Sequence, residues 1–290
     1  MVFNKFVKYA PQNLVEMYSY NCEIDYNHGL LLLKALYNVF KDENRRSLLN
    51  AEIYSIQNFV QKMDNLYYTN ELSKIEFNLL PILKGKIDDY PIGIKKYFWN
   101  NPQEFSGLLI ELYKKKDHLI GDSLEKELLF DALIPFGSKC FIPSEYILLK
   151  KDELNTWVHS FLANGLSEEN EIQTMLKRVI IDILVCCPLN KENDIWPIAE
   201  VANILEKLSN ENVDDKLDIS QRFSMTYNNR RGVISIENGA KEYVKSMEFE
   251  KYKDYYKFSH PVTSKALEII SNDYLTQSKI DKEYSTQGEN

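Results

Sequence analysis

Only six of the 35 basic side chains in this 290-residue chain are arginine, and three of them, Arg222, Arg230 and Arg231, fall within ten positions. Where lysine is the usual cation, a planar guanidinium suggests a need for bidentate bonding to a carboxylate or phosphate. Asn229 stands beside them, and Asn228, Asn229 and Gly232 tolerate positive φ. Residues 224–237, SMTYNNRRGVISIE, therefore read as a turn that presents Arg222, Asn229, Arg230 and Arg231 as a candidate binding set. The same guanidiniums could instead brace the turn, bonding helix carbonyls and acidic neighbours such as Asp218 or Glu237.

No other constellation demands a reaction. His28, His118, His159 and His260 are dispersed, and none sits in a zinc-ligand spacing. Cys22, Cys140, Cys186 and Cys187 form neither a CxxC pair nor a disulfide framework and read as buried thiols. Gly-rich phosphate loops and the GxSxG nucleophile turn are missing. The acidic pairs Asp88-Asp89 and Asp214-Asp215 fit solvated loops and helix starts. We therefore assign no catalytic residue, no metal and no cofactor, and hold an enzyme with an unrecognised site as a third reading.

The net charge of −8 argues against a surface devoted to nucleic-acid phosphates, because Lys and Arg neutralisation dominates that affinity. The N-terminal MVFNKFVKYA lacks the apolar run of a secretory signal, and no segment approaches the roughly 20 apolar residues of a membrane span. The expected location is the cytoplasm.

These side chains must be positioned by helices. Gly and Pro number only 10 and 9, fewer than turn-rich β folds need. Helical periodicity recurs over Pro11–Tyr20, Asn27–Phe40, 50–66, 71–84, 122–134 and 214–227, and also over 239–257 with its Tyr252, Tyr255 and Tyr256 cluster. Asn101 and Pro102 look like a helix start, Ser167 like the cap of a helix running to Pro188, and Asp194 like the cap of one opening Ile195-Trp196-Pro197. The fold class is all-α, an irregular bundle or α-solenoid-like stack of about a dozen helices without a defensible repeat period. A soft boundary near Pro135–Pro143 divides an N-terminal helical subdomain, 1–137, from a C-terminal one, 138–275. A frayed tail, 276–290, is expected to follow.

Ile195-Trp196-Pro197, then Asn229-Arg230-Arg231-Gly232-Val233, then Gly239-Ala240-Lys241-Glu242 with Tyr252, then His260-Pro261-Val262-Thr263 before Ala266 and Tyr274 form an ordered series. That series resembles the C-terminal helical region of large, mostly uncharacterised bacterial multidomain proteins, some of them similar to antiviral defence or signal-transducing NTPase proteins. The resemblance is clearest over residues 194–275. It implies a non-catalytic helical interaction or sensing module, in a bacterial defence assembly, with a protein partner or self-association. The alternative is an anion, nucleotide or nucleic-acid binder using Arg222, Arg230 and Arg231.

Overall fold

The computed structural model describes residues 3, 7, 11–20, 23–40, 49–67, 69–83, 92–115, 140–209, 213–231 and 239–287. Among them are thirteen helices and no strand, so the all-α expectation holds. No helix is long and apolar enough to cross a membrane among the described residues. The expected helix over 122–134 and the residues from Gly232 to Glu237 lie outside them. The chain divides into two compact units, Met1–Pro143 and Ser144–Asn290.

The first unit contains α1 (Pro11–Tyr20), α2 (Tyr26–Phe40), α3 (Asn50–Leu66), α4 (Asn70–Leu83), α5 (Ile92–Asn100) and α6 (Pro102–Lys115). Helix α1 packs on α2 and α3, and α4 packs on α2, α3 and α5. Val15, Leu33, Leu36, Phe59, Val60, Met63, Leu72 and Leu79 form the shared core. The Thr69 hydroxyl caps α4 by accepting from the Leu72 amide at 3.1 Å. Pro81 lies within the last turn of α4, which ends at Leu83. Asn101 differs from expectation, because its side-chain amide turns back to the Tyr97 carbonyl at 3.0 Å and closes α5 instead of capping α6. Phe98 stacks on Phe105 with centroids 3.9 Å apart, which joins the two helices.

The second unit contains α7 (Ser144–Leu149), α8 (Lys151–Ala163), α9 (Asn170–Leu184), α10 (Ala199–Leu208), α11 (Val213–Arg230), α12 (Ala240–Tyr256) and α13 (Pro261–Gln287). Helix α13 is central, contacted by α10, α11 and most extensively by α12. Its buried stripe is Val262, Ala266, Leu267, Ile270 and Tyr274.

Four expectations are corrected here. Glu169, not Ser167, precedes α9, because Gly165 and Glu168 still bond locally to Leu162 and Gly165 in a further turn. Helix α10 begins at Ala199, so Asp194 is not its cap. Asp194 has φ 51°, Ile195 bridges back to Asn190, and the Trp196 indole donates to the Cys187 carbonyl at 2.7 Å across a cis Trp196–Pro197 peptide. These bonds hold 195–197 as a packed loop. Asn228 and Asn229 belong to the last turn of α11 and not to a turn beyond it, since the Arg231 amide still bonds the Tyr227 carbonyl at 3.2 Å. Finally, α13 runs on to Gln287 where a frayed tail was expected from Thr276. Asp281 is buried in it, and the Ser278 hydroxyl donates to the Gly239 carbonyl at 2.7 Å.

Gly239 precedes α12 with φ 72°, and a Cβ there would run into the Ser278 backbone. Glycine is required on both counts.

Candidate functional site

The arginines lie along α11 and the residue after it, and what they meet is set by α9. Asp182 interrupts the apolar stripe of α9 between the buried Ile181 and Ile183. Its carboxylate accepts Arg222 Nε at 3.2 Å, Arg222 Nη2 at 2.8 and 2.6 Å, and the Thr226 hydroxyl at 2.8 Å. Arg222 and Thr226 are one turn apart on α11, so one carboxylate fastens one helix face to its neighbour. The Asp182 carbonyl accepts Arg230 Nη1 at 3.4 Å and the Cys186 thiol at 3.3 Å.

The candidate set thus divides. Arg222 and Arg230 converge on Asp182 of α9; Asp218 is exposed, and Glu237 lies outside the described residues. Arg231 instead lies over the Tyr274 ring on α13 at 4.5 Å, as a cation–π contact. The neighbouring Asn228 amide donates to the Asp273 carboxylate, and the Tyr227 and Tyr274 hydroxyls stand 3.4 Å apart. Burial, and secondarily Tyr274, pushes the Tyr227 phenol far above its ordinary range. Asn229 is exposed. For an external anion to use the Arg222 fork it would have to displace Asp182.

Beneath this end lies an aromatic cluster. Phe249 of α12 meets Trp196, Tyr227, Tyr252 and Tyr274 with centroids 5.1–5.8 Å apart. The Tyr256 hydroxyl donates to the Pro197 carbonyl at 2.6 Å, and burial raises its phenol pKa. These are packing geometries with satisfied polar tips.

The opposite face of α12 is different. Tyr243, Val244, Met247 and Tyr255 are 52 %, 65 %, 53 % and 58 % exposed, and Phe258, in the turn that closes the helix, is 93 % exposed. Lys251 and Asp254 lie on the same side, with Lys251 Nζ 3.1 Å from Asp194 and Asp254 3.5 Å from Lys253. The sequence placed Tyr243, Val244 and Met247 on this helix without resolving which way they face.

In the first unit, Asp64 of α3 and Glu76 of α4 are both buried. The Gly93 amide of α5 donates to Asp64 Oδ2 at 3.0 Å, and the Ser73 hydroxyl donates to the Gly93 carbonyl at 3.1 Å. Among the described residues no hydrogen-bond donor reaches Asp64 Oδ1 or either Glu76 carboxyl oxygen. Burial, then the Asp64 charge, pushes Glu76 up to about 11, which makes it a neutral acid beside Asp64. Burial also raises Asp64 above the ordinary carboxylate range. The signal was available in the sequence, since Glu76 interrupts the apolar series Leu72, Ile75, Leu79 and Asp64 follows Phe59, Val60 and Met63.

Among the described residues no group of three or more His, Cys, Asp or Glu could hold a metal ion. Cys187 is buried and its thiol is pushed up to about 12 by that burial, so it is a poor nucleophile. Cys140 is also buried and Cys186 partly so, whereas Cys22 and His118 lie outside the described residues. His28 pairs with Asp25, His260 accepts or donates at Asn203 and Ser259, and His159 is exposed. No protein-family model, curated protein or solved structure matches the chain.

Proposed function

We propose that this chain is a helical protein-interaction module whose docking surface is the outward face of α12. The observation that carries this reading is the exposure of Tyr243, Val244, Met247, Tyr255 and Phe258 along one side of one helix. Exposed aromatic side chains are enriched at binding hot spots, and exposed apolar residues clustered on one face mark an interaction site more often than scattered ones do. The anion-binding alternative is weaker, because the Arg222 fork is filled by Asp182 and Arg231 is stacked on Tyr274. The resemblance over residues 194–275 supports a bacterial defence assembly as the setting, with partners among the products of neighbouring genes.

The test is co-purification of the full chain with those products, beside a Met247→Glu, Phe258→Glu variant. Loss of the partner with an unchanged melting temperature is the expected result. Equal capture by the variant would remove α12 from the interface.

A further inference from the structure

The outward face of α12 has a spacing that specifies one occupant. Met247, Lys251, Asp254 and Phe258 follow each other at intervals of four, three and four residues; the first three share one stripe of α12, and Phe258 follows in the turn after Tyr256. The series reads the same in both directions, and its chemistry is complementary when reversed. If a second α12 is laid antiparallel, with the two-fold axis level with Tyr252 and Lys253, Met247 falls opposite Phe258 of the copy. Lys251 falls opposite Asp254 of the copy, and each of these contacts occurs twice, as an isologous interface requires. In an antiparallel pair the flanking residues also return to the same flank, so Val244 and Tyr255 border the seam on one side and Tyr243 on the other.

The area is consistent with a dimer. Aromatic side chains bury about 150–250 Å² each when fully covered, so the exposed fractions on this face leave roughly 600–800 Å² with Lys251 and Asp254 included. A standard interface takes about 800 Å² per partner. Lys251 is 56 % and Asp254 63 % exposed at the side chain, so both can reorient toward a second chain.

We infer that α12 pairs with a second copy of this chain in antiparallel two-fold fashion, through Met247–Phe258 contacts and Lys251–Asp254 ion pairs. This rests on the reading of that face as an interaction surface, and it names the partner.

The test uses the full chain and two charge reversals, Lys251→Asp and Asp254→Lys, examined by light scattering from about 1 to 100 μM. Wild type is expected to double in mass across the series. Each variant alone places like charges opposite one another twice and is expected to stay monomeric. An equimolar mixture of the two restores Asp–Lys pairs in both positions, so a mixed dimer is expected to reappear. Rescue in trans cannot come from a change within one chain, and circular dichroism of each variant verifies that it folds.

A wild type that stays monomeric throughout overturns the inference, as does a dimer indifferent to both reversals. In the monomeric case, neighbouring gene products captured by wild type and lost with Phe258→Glu would leave the interaction surface standing with a different occupant. Capture that is absent or unaffected would overturn both.

Discussion

Phe249 and Phe258 are the same residue, one inside α12 and one in the turn that closes it, yet they are 3 % and 93 % exposed. Phe249 is enclosed by Trp196, Tyr227, Tyr252 and Tyr274, whereas the Phe258 ring has the Lys257 ammonium 5.7 Å from its centroid. The inward face of α12 joins the loop at Trp196 to helices α11 and α13. The outward face contributes nothing to that core. Exposed apolar side chains gathered on one face mark an interaction site more often than scattered ones do, which is why the second face carries the functional reading.

The comparison can be broken most forcefully at its inward end. Phe249→Ala removes a buried ring and leaves a cavity, so it is expected to cost about 3–5 kcal/mol in chemical denaturation. Asp182→Ala should come next, at about 2–3 kcal/mol, because it leaves the Arg222 guanidinium and the Thr226 hydroxyl without their shared acceptor. A loss below about 0.5 kcal/mol would show that Arg222 is free to serve an external ligand.

The carboxyl pair of the first unit gives a pH-dependent effect. Folded Glu76 keeps its proton up to about 11, whereas the unfolded chain releases it above the ordinary value of 4.5. The folded state therefore binds the extra proton throughout this window. Stability conferred by the neutral acid is fully present below about 4.5 and declines as pH rises toward 11. Glu76→Gln cannot ionise, so its stability is expected to decline less over the alkaline range. Parallel wild-type and variant profiles would place the titrating group elsewhere.

Much of the fold was legible because single-face periodicity identifies a buried stripe. Ile172, Leu176, Val179, Ile180 and Ile183 recur at helical spacing in α9, as do Val262, Ala266, Leu267 and Ile270 in α13. The start of α10 was not legible, because the Trp196 indole finds its acceptor nine residues back at Cys187, a contact that no local capping rule contains. The arginine cluster was visible as residue types, but its partner Asp182 lies 40 residues from Arg222. On α12 both faces carry large apolar side chains, so periodicity alone could not separate Phe249 from Tyr255 or Met247.

The division of α12 into a structural and an interaction face is tested most directly by Phe258→Ser. Its melting temperature should be measured at a dilution where wild type is monomeric, and its mass at high concentration. The expected result is a melting temperature within about 2 °C of wild type together with lost self-association. A melting temperature lowered as far as in Phe249→Ala, or self-association equal to wild type, would contradict it.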